Sequence, residues 1–399
     1  VQGDVGSGKT VVAAFAALMA LESESQVAIM APTELLAEQH YQSFSQWLTP
    51  LGVEVAFLSG KGKAAQRKSV LERLEQGNIG VLVGTHALFQ DDVLFSRLGL
   101  VVIDEQHRFG VHQRLALREK GRQAGRLPHQ LVMTATPIPR TLAMIGYADL
   151  DLSVIDERPP GRTPVTTTVL SADRRDAVVE RIRSWVAKGR QVYWVCTLIE
   201  ESESLQAEAA EKTLERLEDS LQDLAIGLVH GRLKPLEKEA VMKAFKAGSI
   251  EVLVATTVIE VGVDVPNASL MVIENPERLG LSQLHQLRGR VGRGPGEAHC
   301  VLLYQAPLGQ TARERLGIMR ETDDGFLIAE KDLQLRGPGE LLGTRQTGQI
   351  TFKLADLARD SGLIEDIHRS AEIILTEYPE AIDPLVERWL GTASRFVEV

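Results

Sequence analysis

Cysteine, aromatic residues and long apolar runs are scarce in this sequence of 399 residues, and it has no excess of positive charge. The two cysteines, Cys196 and Cys300, each lie in a short apolar run, which predicts buried reduced thiols, as in a cytoplasmic protein. A disulfide framework or a cysteine metal site is not expected. Without a run of about 18 apolar residues or a secretory signal, neither a membrane span nor export is expected. The formal net charge of −10 argues against indiscriminate binding of polyanions, although it is compatible with a local nucleic-acid track.

The remaining composition, 44% hydrophobic and 25% charged, is typical of a globular protein with two or three domains. Over 1–155, short Val/Ile-rich runs alternate with helical periods, which predicts a parallel sheet covered by helices on both faces. Proline and glycine at 156–164 predict a linker, the alternation resumes over 165–308, and 309–399 is helical. We therefore expect an α/β protein with two tandem lobes and a small α-helical C-terminal module. The strands are predicted near 27–30, 53–58, 79–83, 100–103, 131–133, 165–170, 192–196, 226–229, 252–255, 270–273 and 300–304.

The first ten residues contain a phosphate-binding loop, GDVGSGKT, which fits the pattern G-x-x-x-x-G-K-[ST]. In such a loop the backbone N–H groups curl around the phosphates, the lysine neutralises charge, and the threonine hydroxyl binds Mg²⁺. Because only two residues precede the loop, we expect the chain to begin within a fold, without the buried strand that usually supports the loop. The predicted nucleotide-binding residues are Gly3, Asp4, Val5, Gly6, Ser7, Gly8, Lys9 and Thr10.

Two carboxylates follow the apolar run 100–103. Asp104 and Glu105 stand at the predicted carboxyl end of a strand, where open α/β sheets bind ligands. A P-loop hydrolase needs one acid to hold Mg²⁺ and a second to orient or deprotonate the attacking water. We therefore expect Asp104 and Thr10 to bind Mg²⁺, Glu105 to act on the water, and Lys9 to complete the catalytic set. Taken alone, the acidic pair is also compatible with a solvated turn.

The clearest basic window lies at 278–296, with four arginines and no acidic residue. A nucleotide held by one lobe is hydrolysed faster when a guanidinium from elsewhere meets the charge on the transferred phosphate. Arg290 and Arg293 lie about 280 residues from the loop, so they reach the γ-phosphate only across a cleft between the lobes. We expect both to stabilise transition-state charge. A solvated basic surface is the plainer alternative.

The tetrad DEQH at 104–107, together with the phosphate loop, resembles superfamily 2 helicases and translocases, whose two lobes are RecA-like. A signalling P-loop switch would need a guanine-reading NKxD motif, which the sequence lacks, and neither a switch nor a metabolite kinase needs a second such lobe. The other motifs that resemble this family follow in its order: APTELLA at 31–37, GTHAL at 84–88, TATPIP at 134–139, HGRLK at 230–234, VATTVIEVGVDVP at 254–266 and QLRGRVGR at 286–293.

This resemblance implies ATP and Mg²⁺ as cofactors and adds site residues in both lobes. Gly262 and Asp264 would couple the nucleotide to the second lobe, and Gln286 would contribute to nucleotide binding. The implied contacts are mainly to the phosphate backbone of DNA, so DNA would be recognised by shape and not by base sequence. They involve Thr33, Thr85, His86, Arg232 and Thr256.

Residues 325–348 resemble the translocation hairpin shared by RecG helicases and the transcription-repair coupling factor, where it lies beside the duplex. The hairpin is expected over about 311–350, within the helical module. Arg336, Arg345 and Gln346 would contact DNA, and the glycines allow close approach to a phosphate chain. A structural helix–loop–helix is the plainer alternative.

Within the shared motifs the sequence is closer to the RecG type, as at 6–12, 104–110, 147–153 and 387–390. The resemblance covers essentially all 399 residues, but not the family's adenine-reading Gln motif or N-terminal wedge domain. It implies the motor portion of a bacterial translocase that regresses replication forks and migrates Holliday junctions in DNA repair and recombination. The implied partners are branched double-stranded DNA and single-strand binding protein, for a monomer in the cytoplasm at the nucleoid, with no membrane contact. Two alternatives stay open: a translocase acting on stalled RNA polymerase, and an isolated fragment that binds nucleotide without doing work.

Overall fold

The strands predicted from the apolar runs all form, and every strand pair among the described residues is parallel. Parallel pairing follows from the alternation with helices, because each connection has to cross back over the sheet. The structure, a computed structural model, describes residues 1–60, 64–105, 120–121, 127–135, 151–157, 163–197, 203–260, 265–294, 296–336 and 360–390.

The first lobe is built on a five-stranded sheet. Its elements are β1 Gln2–Gly3, α1 Lys9–Glu22, β2 Gln26–Met30, α2 Glu34–Leu48, β3 Val55–Leu58, α3 Ala64–Glu75, β4 Val81–Gly84, β5 Leu98–Asp104, β6 His129–Met133 and β7 Val154–Ile155. The sheet has the strand order β3-β4-β2-β5-β6, and an apolar core lies on each face. Along β5, Val101 and Ile103 enter one core, whereas Leu100 and Val102 enter the other. A strand covered on both faces is apolar throughout, which is the pattern that predicted it.

The phosphate loop does have a supporting strand, so the expectation from the sequence was wrong. β1 pairs in parallel with β7, and Gln2 bridges to Thr134, just after β6. The Gln2 N–H donates to the Ser153 carbonyl at 2.8 Å, and the Val1 amine donates to the Val132 carbonyl at 2.7 Å. Two residues are enough for this strand because it has a hydrogen-bonding neighbour on each side.

The second lobe repeats the arrangement with a six-stranded sheet. Its elements are β8 Val165–Ser171, α4 Arg175–Val186, β9 Gln191–Val195, α5 Glu203–Ser220, β10 Ile226–Val229, α6 Pro235–Lys246, β11 Val252–Ala255, β12 Ala268–Glu274, α7 Leu281–Arg288 and β13 Ala298–Tyr304. The order is β10-β11-β9-β12-β13-β8, and its first five strands match β3-β4-β2-β5-β6 position by position. Trp194, fully buried in β9, shares one core with Val178 and Ile182 of α4.

Both cysteines are buried and form no disulfide, as predicted. Cys196 follows β9 and Cys300 lies in β13. Burial raises the pKa of each thiol to about 12, so both stay protonated and unreactive near neutral pH.

Helices follow the second lobe, and the expected fold class is confirmed. Within the described residues these are α8 Gln310–Glu321, α9 Gly325–Arg336, α10 Ile364–Glu377 and α11 Ile382–Leu390. The chain divides into two compact units, 1–137 with 153–328 and 138–152 with 329–399. Since both lobes lie in the first unit, the predicted domain boundaries stay a prediction. Among the described helices, none is long and apolar enough to cross a membrane.

Candidate nucleotide and DNA site

The phosphate loop joins β1 to α1 and owes its shape to glycine. Gly6 and Gly8 have φ values of 80° and 98°, in the left-handed region that glycine enters without steric cost. Gly3 has less room than Gly8, because a Cβ there would lie 2.4 Å from the Ser7 Oγ and 3.2 Å from the Ile155 carbonyl oxygen. The loop leads directly into the N-terminal turn of α1, where free N–H groups and the helix dipole favour an anion.

Lys9 is buried in the loop, with an exposed fraction of 9%. Its Nζ donates to the carbonyl oxygens of Gly3 and Asp4, at 2.8 Å each. Burial lowers the pKa of Lys9 from its ordinary value, although the charges of Asp104 and Glu105 oppose the shift. The loop therefore contains a desolvated ammonium that faces both predicted acids. Because the charges of these acids do not outweigh the cost of burial, a bound phosphate would further stabilise the charged form of Lys9.

The residues present fit the triphosphate and the Mg²⁺ that the motif implies. The Ser7 Oγ is buried and has no hydrogen-bond partner among the described residues, so a phosphate oxygen would satisfy it. Thr10 lies in the first turn of α1, beside Lys9. Hydroxyl and carboxylate oxygens are the ligands that Mg²⁺ prefers, and Thr10 with Asp104 supplies both kinds. The role of each of these residues stays a prediction.

Asp104 ends β5, and both oxygens of its carboxylate are hydrogen-bonded. The Oδ2 lies 2.7 Å from Nε2 of His40, on α2, and the Oδ1 accepts from the Glu105 N–H at 3.0 Å. Sequence reasoning missed His40, because it lies 64 residues from Asp104 and outside the motif at 31–37. A signal was present: His40 lies one helical turn before Phe44, hence on the inward face of α2.

Glu105 follows β5 with an unusual backbone and a perturbed pKa. Its φ is 52°, which is uncommon for a residue other than glycine, and its N–H also donates to the Met133 carbonyl at 3.0 Å. Burial and the neighbouring Asp104 raise the pKa of Glu105 from 4.5 to about 7, although Lys9 and Arg290 act in the opposite direction. A carboxyl that titrates near neutral pH suits the predicted base, because it can both accept and release a proton.

Arg290 and Arg293 lie across from the loop, near the predicted catalytic groups. The charge of Arg290 lowers the pKa of Glu105, and the charge of Arg293 lowers the pKa of Lys9. The Arg293 Nε also donates to the Gly289 carbonyl at 3.2 Å. This hydrogen bond holds the Nε side of the guanidinium in place. The structure thus brings together residues that the motifs predicted for one site in two lobes, and their catalytic roles stay predictions.

A direct hydrogen bond also joins the lobes at the loop. Nε2 of His285, on α7, lies 3.0 Å from the Asp4 Oδ1. The His285 Nδ1 lies 3.2 Å from Nη2 of Arg288, and the Arg288 Nη1 donates to the Met319 and Thr322 carbonyls. This chain of hydrogen bonds, buried at His285 and Arg288, links the phosphate loop to the end of α8. The sequence analysis placed Arg288 in the basic window at 278–296 but did not predict this structural role. A count of arginines cannot distinguish a buried arginine from one that faces a phosphate.

Two predicted DNA contacts lie at matching places in the two lobes. Thr85 follows β4 and Thr256 follows β11, which occupy the same position in the two sheets. The two side chains are 2% and 1% exposed, and among the described residues neither hydroxyl has a hydrogen-bond partner. Burying a hydroxyl without a partner is costly, so both positions favour an outside acceptor such as a phosphate oxygen.

The other predicted site residues vary in their surroundings. The Thr33 Oγ1 accepts a backbone N–H at 3.3 Å and caps α2. His86 and Arg232 are exposed, whereas Gln286 is buried. Arg336 is the last residue of α9. The predicted residues outside the described part of the chain are Gly262, Asp264, Arg345 and Gln346.

In the second lobe an ion pair occupies the position that matches the phosphate site. Arg175 begins α4, as Lys9 begins α1, and Glu274 ends β12, as Asp104 ends β5. The Arg175 Nε lies 2.8 Å from the Glu274 Oε1, and its guanidinium stacks over Trp194 at 5.1 Å. The charged residues at the positions that match Lys9 and Asp104 thus neutralise each other in the second lobe. Among the described residues, the predicted phosphate site therefore has no charged counterpart open for a phosphate in the second lobe.

We expect Glu105→Gln to stabilise the nucleotide-free protein increasingly as the pH rises from about 5 to about 7. The unfolded chain ionises Glu105 with the ordinary pKa of 4.5, whereas the folded protein keeps the proton up to a pKa of about 7. Ionisation therefore destabilises the native fold in this window, and glutamine avoids that loss. The gain in the free energy of unfolding should grow by roughly 2–3 kcal/mol and level off above the folded pKa. Urea unfolding at several pH values measures it, and a gain that does not change with pH would contradict the raised pKa.

Three protein-family models match consecutive parts of the chain. Residues 1–145 match the model of DEAD/DEAH box helicases, and residues 173–295 match the helicase conserved C-terminal domain. Residues 322–390 match a model described as ATP-dependent DNA helicase RecG, domain 3, C-terminal. The three models follow one another in the order of the two lobes and the helical module.

Three bacterial helicases are similar to this chain over nearly its whole length. The chain is 63% identical over 397 residues to the ATP-dependent DNA helicase RecG of Escherichia coli O157:H7, covering 99% of this chain and 57% of that protein. It is 60% identical to the RecG of Pasteurella multocida, covering 100% of the chain and 58% of that protein. The RecG of Aquifex aeolicus is 51% identical, over 95% of the chain and 48% of that protein. The chain thus spans a little over half the length of the first two relatives.

Solved structures agree with the sequence relatives. The structure of RecG bound to a three-way DNA junction is similar with a TM-score of 0.72 and 46% identity, covering 92% of this chain and 47% of that one. The helicase MrfA bound to DNA and AMPPNP has a TM-score of 0.63 at 16% identity, covering 84% of this chain and 51% of that one. At that identity the likeness to MrfA shows the fold alone.

Proposed function

We propose that this chain, which belongs to the RecG family of ATP-dependent DNA helicases, is an ATP-driven motor that moves along double-stranded DNA and remodels branched DNA in repair and recombination. One observation carries the proposal: residues of both lobes meet at the phosphate loop, through Arg290, Arg293 and the bond between His285 and Asp4. A site completed by two lobes ties nucleotide occupancy to the position of the lobes, which is what a motor needs.

The chemistry assigned to this site is ATP hydrolysis. ATP bound with Mg²⁺ supplies the phosphoanhydride bond that is cleaved. Lys9 neutralises phosphate charge from within the loop, and Glu105 orients the attacking water and takes up its proton. Arg290 and Arg293 meet the charge that develops on the transferred group, from the second lobe. Because these donors are fixed before reaction, they stabilise developing charge without the reorganisation that water would need.

The DNA contacts are assigned to the phosphate backbone. The buried hydroxyls of Thr85 and Thr256, at matching strand ends in the two lobes, support a track that touches both lobes. Thr33, His86 and Arg232 extend this track. Backbone contacts position a protein without reading base sequence, so the motor is expected to act on any duplex sequence.

Branched DNA as a substrate is supported by the RecG structure on a three-way junction. The remaining assignments rest on family membership: a monomer in the bacterial cytoplasm, at the nucleoid, with single-strand binding protein as a partner. Action on stalled RNA polymerase has no support from the relatives described above, which are RecG helicases.

The ATPase activity of this 399-residue chain with different stimulating agents tests the proposal. Duplex and forked DNA should raise turnover at least about tenfold over basal activity. An arginine that meets the transferred phosphate contributes about 10³-fold or more, so partial closure of the lobes on DNA is enough for this stimulation. Stalled RNA polymerase without free DNA should not stimulate it. Stimulation by polymerase and indifference to forks would favour a coupling-factor role, and no stimulation by either would indicate a nucleotide-binding fragment that does no work.

We expect Arg336→Ala to leave basal ATP turnover nearly unchanged and to lower movement along DNA at least about tenfold, the effect of losing a coupling contact of roughly 1.4 kcal/mol. Arg336 ends α9, away from the phosphate loop in the chain, and is predicted to contact the duplex. Displacement of a third strand from a triplex measures movement, and Arg320→Ala, exposed on α8, is the matched control. An equal loss of basal turnover would mean that the predicted hairpin is structural.

A further inference from the structure

His40 is a buried polar residue to which the proposed mechanism gives no role. It lies on α2 with an exposed fraction of 5%, and its Nε2 is 2.7 Å from the Oδ2 of Asp104. A carboxylate only accepts hydrogen bonds, so the Nε2 carries the proton and donates it to Asp104. Burial of both partners shields this hydrogen bond from competing water.

The bond completes a two-point hold on the Asp104 carboxylate. His40 bonds one oxygen, and the Glu105 N–H bonds the other at 3.0 Å. With both oxygens held, the carboxylate plane is fixed, and its remaining lone pairs point in set directions. A carboxylate that is already oriented loses no side-chain conformational entropy when it binds a metal or a metal-bound water.

The donor ring lies on the inward face of α2, which packs into a core of the first lobe. The His40 ring meets Phe44 edge-on, with centroids 6.4 Å apart, and Phe44 is fully buried in a core shared with Leu48 and Ile29. The position of the ring beside Asp104 is therefore set by the helix and not by one neighbouring side chain.

We propose that His40 is a positioning residue, which orients the Asp104 carboxylate for Mg²⁺ bound with nucleotide. The inference rests on the proposed function, because it assumes that Asp104 serves Mg²⁺. His40 itself touches neither the metal nor the nucleotide in this scheme. Its effect is on the affinity of the site for Mg²⁺ and not on the affinity of the loop for phosphate.

The test compares two side chains of equal length. His40→Met removes the donor and keeps the volume, whereas His40→Gln places an amide N–H where the ring Nε2 stood. We expect His40→Met to raise the Mg²⁺ concentration for half-maximal ATPase about tenfold, the lower end for loss of a residue that orients a metal ligand. His40→Gln should recover most of the native Mg²⁺ dependence.

A second readout does not depend on turnover. ADP with Mg²⁺ should raise the thermal unfolding midpoint of the native protein more than ADP with EDTA, and His40→Met should lose this Mg²⁺-dependent part alone. Phe44→Leu loosens the packing behind the ring but keeps the donor, so it should lower the midpoint without changing the Mg²⁺ dependence. If His40→Met does not fold, His40→Asn replaces it, since its amide is too short to reach Asp104.

The outcomes separate this inference from the proposed function. A native Mg²⁺ dependence in folded His40→Met or His40→Asn would overturn the positioning role, as would an equal change in Phe44→Leu. If the native protein itself shows no Mg²⁺-dependent stabilisation by ADP and no ATPase, the proposed function fails first.

Discussion

Glu105→Gln should lower ATP turnover by about 10³-fold while ATP binding is retained, which is the effect of losing one residue that positions or deprotonates water. Glutamine keeps the size of the side chain and one acceptor oxygen, but its amide cannot take up a proton. Burial raises the pKa of Glu105 to about 7, so the native carboxyl can both gain and lose a proton near neutral pH. Steady-state ATPase gives turnover, and equilibrium binding of a fluorescent ATP analogue gives affinity.

The control for this variant is Glu75→Gln, an equal change at the exposed end of α3. It should leave both turnover and affinity at native values. Turnover retained in Glu105→Gln would remove Glu105 from the mechanism, and loss of nucleotide binding would make it a structural residue of the loop.

Arg290→Ala should lower turnover by about 10³-fold, the lower end for removal of an arginine that meets the transferred phosphate. The loss should fall on turnover and leave the affinity for ATP within about threefold, because the guanidinium acts mainly on charge that develops during cleavage. Arg290→Lys keeps a positive charge without the planar fork and should recover only part of the activity.

Arg181→Ala, exposed on α4 in the same lobe, is the matched control and should behave as native. A variant Arg290→Ala that loses ATP affinity and turnover to the same degree would place Arg290 in ground-state binding. Native turnover in that variant would mean that the second lobe does not complete the site.

Much of the fold could be predicted because its strands are apolar on both faces. Leu100 to Ile103 form an uninterrupted apolar run, and the structure shows them entering two cores alternately. β1 was not predicted, since a strand of two residues has no pattern of its own and is defined by its hydrogen bonds to neighbours on each side.

The candidate site was predictable where a motif fixes the backbone, and less so where contacts come from tertiary packing. The glycines and Lys9 belong to one short loop, so their spacing in the sequence is enough to predict a phosphate-binding loop. His40 reaches Asp104 across 64 residues, and His285 reaches Asp4 across 281. Neither contact leaves a spacing rule in the sequence. The raised pKa of Glu105 likewise depends on burial, which only the folded protein defines.

In the proposed function, two lobes that close on one nucleotide move this chain along duplex DNA. Displacement of a third strand from a triplex, with a long duplex beside it and no fork present, measures this movement without any contribution from branch recognition. We expect the 399-residue chain to displace the third strand only when ATP and Mg²⁺ are present, and Glu105→Gln to lose this displacement. ATP hydrolysis that duplex DNA stimulates without any displacement would show that the chain is not a motor.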